Sequence, residues 1–225
     1  QSASEDTVLD GFTITGGYVD RARTATEDNG FFLPQPGGRS GSAGGMWISD
    51  GRPVVTRCTF VRNVTRSQRD DWCGGPALLC MDSQPTIREC SFIENVAFAE
   101  GIISTGGAVL NVRADPNLID CTFIRNVATG QNGQYVGGAI ANFYSSPRLD
   151  GCSFIENRAF GPEGDTGFMA GGAVFHHGDS RPSLTDCTFT NNFADAGGAI
   201  YSQQSVSYTH LRAHETVLEL VCRLL

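Results

Sequence analysis

The 225-residue sequence predicts an all-β chain, a right-handed single-stranded parallel β-helix (β-solenoid) of about six coils. Three observations predict it. The segment Pro-x-x-x-x-Cys-Ser/Thr-Phe-x-x-Asn recurs, with Pro53, Pro85, Pro116, Pro147 and Pro182 each five residues before Cys58, Cys90, Cys121, Cys152 and Cys187. Gly-Gly pairs at 44–45, 74–75, 106–107, 137–138, 171–172 and 197–198 interleave with it, most of them opening short apolar runs. Within each copy, Cys and Phe alternate with a Ser or Thr, which is the period of a strand and not of a helix.

The elements follow in chain order. Leu9-Asp10-Gly11-Phe12-Thr13-Ile14 lines up with Leu149-Asp150-Gly151-Cys152-Ser153-Phe154 and is a degenerate first copy, in which Phe12 and Ile14 exchange sizes with Cys and Phe. A long loop is expected over about 18–43. Each repeat then opens on its proline, placed before a strand, where a missing N–H costs least. The Cys and Phe side chains point to the interior and the hydroxyls point out. Stacking coils about 4.8 Å apart makes each position a ladder along the axis. Asn63, Asn95, Asn126, Asn157 and Asn192 follow each Phe by three residues and suit a bend, where amides can bond along the stack.

Between Phe and Asn stand Arg62, Glu94, Arg125, Glu156 and Asn191, an outward column in which opposite charges neighbour each other. Subtracting positions gives cysteine spacings of 32, 31, 31 and 35. The variation lies almost wholly between the Asn bend and the next Gly-Gly pair, so insertions emerge from one corner: Val64–Cys73, Phe98–Thr105, Thr129–Val136 and Phe160–Ala170. The glycines supply dihedrals for tight corners.

The pattern stops at Ser205. Residues 206–225, from Val206-Ser-Tyr-Thr-His to Leu220-Val-Cys-Arg-Leu-Leu225, resemble a translated sequencing-library adapter, which implies a truncated metagenomic reading frame with any export signal upstream. The other reading is an amphipathic capping helix, since a solenoid end needs cover. The domain division is therefore a β-helix fragment over 1–205 and a non-native tail over 206–225.

Composition narrows the function. Net charge is −8, and all 16 basic residues are arginine. An acidic surface disfavours nucleic acid or anionic membrane as partner. The column cysteines are expected to be buried thiols, because parallel register gives poor disulfide geometry. Cys73 and Cys80 could meet only if the corner at Gly74-Gly75 folded them together. No Cys-x-x-Cys spacing suggests zinc. Asp70-Asp71 lies in a polar link, and His176-His177-Gly178 resembles the His-Gly of polygalacturonase-type hydrolases without that family's Asn-x-Asp and Arg-x-Lys partners; His176 aligns instead with Asn111 and Asn142 as a polar ladder. Glu163, Asp165 and Asp179 are scattered, unlike a calcium site. No catalytic, cofactor-binding or metal-binding residues are therefore assigned. A carbohydrate-binding or carbohydrate-cleaving alternative would need acids converging with Phe31, Phe32, Tyr135, Phe143, Tyr144 and Phe168 in one groove.

The tetrapeptides Phe-x-x-Asn (60–63 and its copies) and Gly-Gly-Ala-Ile (137–140 and 197–200, with Val at 109 and 174) resemble the repeats of chlamydial polymorphic outer membrane proteins. The resemblance covers 8–205 and implies an autotransported surface adhesin with a C-terminal outer-membrane barrel. That family leads to an expectation of a secreted or cell-surface bacterial module, adhesive or structural and monomeric. It would meet a surface protein or polysaccharide through its one-corner loops, with any membrane contact made by other parts of a longer protein.

Overall fold

The computed structural model describes residues 4, 7–21, 41–67, 72–101, 103–131 and 133–203. Its first coil contains β1 (Val8–Asp10), β2 (Thr13–Thr15), β3 (Tyr18–Arg21), β4 (Gly41–Ser42) and β5 (Met46–Ser49). The second repeats the order as β6 (Val54–Thr56), β7 (Thr59–Val61), β8 (Val64–Ser67), β9 (Trp72–Gly74) and β10 (Leu78–Met81). Corresponding strands of successive coils pair in parallel and build five sheets, here A to E in the order of strands β1 to β5. Sheets A, B and E have six strands, and C and D have five. The sixth coil continues C and D by the single bridges Arg158↔Phe193 and Ala170↔Ala196. Five coils are thus complete and the sixth partial, close to the expected count.

Sheets A, B and E enclose the main core. Val55, Ile87, Leu118, Leu149 and Leu184 line A, the five cysteines stand at the next corner, and Phe60, Phe92, Phe123, Phe154 and Phe189 fill B. Neighbouring Phe rings lie 4.7–4.9 Å apart with planes 4–5° from parallel. Burying each such ring contributes roughly 1.5–3 kcal/mol. Phe12 is 57% exposed rather than seated in the cysteine column as its alignment predicts, while Leu9 and Ile14 of the same coil pack against the core. Its smaller partner Ile14 does stack on Phe60.

Four corners of each coil are single residues in the left-handed region. Arg57, Glu89, Asp120, Gly151 and Asp186 turn A into B, and Arg62, Glu94, Arg125, Glu156 and Asn191 turn B into C. Asp50, Asp82, Arg113, Tyr144 and Gly178 turn E into A, and Ala43, Gly75, Gly106, Gly137, Gly171 and Gly197 turn D into E. Most of these are not glycine, and each stores about 1 kcal/mol or more of backbone strain.

Two expectations are corrected. Three of the links predicted as one-corner loops, Val64–Cys73, Phe98–Thr105 and Thr129–Val136, are mainly strands among the described residues, because their alternate side chains pack between two facing sheets; in Phe160–Ala170 only the ends are strand. Thr65, Ala97, Ala128 and Ala159 on C face Cys73, Ser104 and Tyr135 on D, with Ser104 Oγ donating to the Ala97 carbonyl at 2.7 Å. Each of the five complete coils therefore carries a two-stranded arm, and the loop placed at 18–43 begins and ends in β3 and β4. The arm is pinched at its base, where a methyl carbon on Gly107 would lie 2.6 Å from Val127 N.

The Gly-Gly pairs also do not share one register. Pairing aligns Gly74 with Thr105 and Ser42 with Gly74, so Gly44-Gly45 sits level with Pro76-Ala77 and only the last four pairs stack. Residues 206–225 lie outside the described residues, as do Phe31, Phe32, Asp70 and Asp71.

Candidate functional site

Inside the core one column is polar. Pairing stacks Ile48, Cys80, Asn111, Asn142, His176 and Ser202 on the inward face of E. Asn111 Nδ2 donates to Asn142 Oδ1 at 2.8 Å, and Asn142 Nδ2 lies 3.1 Å from His176 Nδ1. With Nδ1 accepting, the ring proton sits on Nε2. Burial holds the His176 imidazole neutral, with its pKa down at about 3. The aligned Asn-Asn-His ladder expected from sequence is therefore present, and it is interior.

Cys73 and Cys80 do not meet as a pair. Cys73 lies within the arm beside Ala97 and Ala99, where burial pushes its thiol up to about 11, and Cys80 belongs to the main core. All seven described cysteines are free and buried. The column thiols donate to backbone carbonyls, as Cys90 does to Arg88 at 3.2 Å.

On the outward face of E two columns run along the axis: Trp47, Leu79, Leu110, Ala141, Phe175, Tyr201, and Ser49, Met81, Val112, Phe143, His177, Gln203. At their C-terminal end the rings gather. Phe175 stacks on Tyr201 with centroids 5.8 Å apart, Phe168 meets Tyr201 edge-on at 5.4 Å, and Phe143 lies 5.8 Å from His177. Tyr144, 42% exposed at the corner, meets His177 edge-on and covers Gly178, where a methyl carbon would lie 2.7 Å from its ring. Burial lowers the His177 pKa, opposed by a hydrogen bond with Gln203.

Of the aromatic residues singled out from sequence, Phe143, Tyr144 and Phe168 are thus brought together, and Tyr135 is not. Tyr135 is buried in the arm, where its hydroxyl donates to Asp165 at 2.8 Å and accepts from Gly133 N. Sequence reasoning met His177 only beside His176 and missed Phe175 and Tyr201; their shared place, four residues after the first glycine of a Gly-Gly pair, was the available signal.

Acids do not join this cluster from sheet E, since neither outward column contains one. Asp165 is engaged by Tyr135 and by Gly167 N, and Glu163 and Asp179 are exposed. Among the described residues no three His, Cys, Asp or Glu side chains converge as metal ligands. A shallow hollow of about 460 Å³ lies at the corner from E to A, lined by Asp50, Arg52, Asp82, Gln84 and Arg113. There Arg113 holds Asp82 through two 2.8 Å hydrogen bonds and lowers its carboxyl pKa. This pairing leaves little net charge to attract an ion.

Comparison with known proteins agrees with this architecture. No curated protein and no solved structure matches the chain. A family model described as a right-handed beta helix region matches residues 38–213. The coils, their parallel ladders and this match together place the chain in the right-handed β-helix family.

Proposed function

We propose that the chain is an exported, non-catalytic surface module. On this reading it is part of a larger bacterial protein and presents its arms to a cell-surface protein or polysaccharide. One observation carries the reading: nearly all length variation lies in the arms, the other step being one extra residue at the corner from E to A, where Val174 to Ser183 spans nine positions against eight from Ile140 to Arg148. Only two residues separate Ala194 from Gly197, whereas the equivalent arm after Ala159 runs to Gly171 and adds the 161–168 tip. A rigid frame with variable projections suits recognition at the projections. The resemblance to polymorphic outer membrane repeats points the same way.

The test is binding of the immobilised chain to a panel of neutral and acidic polysaccharides and extracellular-matrix proteins. It is repeated with residues 161–168 cut to a Gly-Gly link. Binding that weakens at least tenfold in the shortened variant supports the reading, and binding unaffected by it counts against.

The aromatic cluster supports a second reading, carbohydrate contact, because Tyr144 offers an accessible ring beside His177. Release of new sugar ends from an acidic polysaccharide, with or without calcium, would replace the first reading by an enzymatic one.

A further inference from the structure

We infer that the hollow at the corner from E to A is a subsite for an uncharged sugar chain, with Tyr144 as its stacking platform. The inference rests on the second reading above, carbohydrate contact, and gives it a place and a charge class. The walls come from three successive coils: Asp50 and Arg52, then Asp82, Ser83 and Gln84, then Arg113. Tyr144 follows Arg113 in the same corner column and is 42% exposed.

Ser83 points to a ligand. It is 4% exposed, yet its Oγ has no hydrogen-bond partner. A buried hydroxyl in that state costs stability, so a site that retains one is set for a partner from outside. Elsewhere in its column the hydroxyls are used within the stack. Ser145 Oγ donates to the Phe143 carbonyl at 2.9 Å and accepts from Ala114 N. Ser180 Oγ donates to the His177 carbonyl at 2.8 Å and accepts from Ser145 N. Of these three serines only Ser83 lines the hollow.

The rest of the lining sets the ligand class. Two carboxylates and two guanidiniums balance, so no net charge selects an ion, while donors and acceptors are both plentiful. Arg113 spends two of a guanidinium's five N–H donors on Asp82. Asp50 accepts from Ser49 Oγ at 2.8 Å, and each carboxylate has more lone pairs than these bonds use. Exposed Gln84 adds an amide that both donates and accepts. Sugar hydroxyls, each donor and acceptor at once, match such a set, whereas a charged ligand would compete with the Asp82–Arg113 pair. The volume of about 460 Å³ lies within the roughly 300–1,000 Å³ of small-molecule sites. From Asp50 to Tyr144 is three coil steps, about 14 Å, the reach of a short oligosaccharide along the axis.

Isothermal titration calorimetry of the full chain tests the inference, with cellohexaose, laminarihexaose, mannohexaose, acidic hexagalacturonate, and free glucose and mannose. The expected result is that one neutral hexaose binds at least tenfold more tightly than hexagalacturonate and than its own monosaccharide. Ser83→Ala keeps the melting temperature, because its hydroxyl makes no bond within the protein, but weakens that binding at least threefold. Gln84→Ala and Tyr144→Ala each weaken it at least fivefold and keep a native circular dichroism spectrum. A Gly-Gly link in place of residues 161–168 leaves it unchanged. Absence of neutral hexaose binding, preference for hexagalacturonate or for a monosaccharide, indifference to Ser83→Ala or Gln84→Ala, or loss on shortening the tip would each overturn the inference. Sensitivity to Tyr144→Ala alone would also overturn it, while leaving carbohydrate contact standing.

Discussion

The side chain and backbone N–H of Asn126 make five hydrogen bonds. Its backbone N–H and side-chain amide both donate to Asn157 Oδ1, the amide also donates to the Phe92 carbonyl, and its own Oδ1 accepts twice from Asn95. Asn126→Ala leaves several buried groups without these partners, at about 1–3 kcal/mol each, so a loss of at least about 3 kcal/mol is expected. A urea midpoint within error of the parent would refute this. His176 gives a pH dependence. Its folded pKa of about 3 lies below the ordinary 6.5, so the unfolded chain binds the proton more readily. Stability from this group is fully present above pH 6.5, falls by up to about 1.4 kcal/mol per unit as pH drops, and is lost below about 3. In His176→Asn, which extends the Asn111–Asn142 ladder, thermal melts between pH 7 and 4.5 should flatten relative to the parent. The Asn and Phe columns were legible because each position keeps one residue type. The left-handed corners were not, since Arg57, Glu89 and Asp120 carry no signature of positive φ.

The arm shows how short elements escape notice. Four-residue segments such as Val127–Gly130 contain too little apolar alternation to read as strands, and their small inward residues resemble a loop. Packing decides otherwise: a methyl carbon on Gly130 would lie 1.9 Å from the Ala99 carbonyl oxygen, so only a flat backbone fits that layer. The Tyr135–Asp165 hydrogen bond anchors the 161–168 tip to this layer, and Asp165 in turn holds Gly167 N at 2.8 Å. Tyr135→Phe should cost about 1–2 kcal/mol. Hydrogen exchange should lose protection at Gly133 and Gly167 while strands of sheet A keep theirs; unchanged exchange at Gly167 would remove the anchor. Along the surface, Glu94 stands between Arg62 and Arg125 at 2.9 Å each, and its pKa is lowered chiefly by the Arg125 hydrogen bond. Such exposed pairs order the corner more than they stabilise it.

At the scale of the molecule, the seven buried thiols make the stack indifferent to redox state. In a Cys222→Ser variant, Ellman's reagent should find no reactive thiol in the native protein and seven in urea, and reductant should leave Tm unchanged. Rapid native labelling would contradict the packing. Repetition made the fold legible before any contact was known. The gathering of Phe143, Phe175, His177 and Tyr201 was not, because residues distant in sequence meet only once register is set. The nearly parallel Phe rings of sheet B have one more consequence. Because each coil advances the axis by one ring spacing, reach is counted in whole repeats. Duplicating a stretch of coding sequence one repeat long lengthens the rod by about 4.8 Å and preserves every column. A duplication of any other length breaks the columns at once unless it falls in an arm tip. The gene for such a protein can therefore change its span by unequal recombination in discrete steps, each of which yields a folded product.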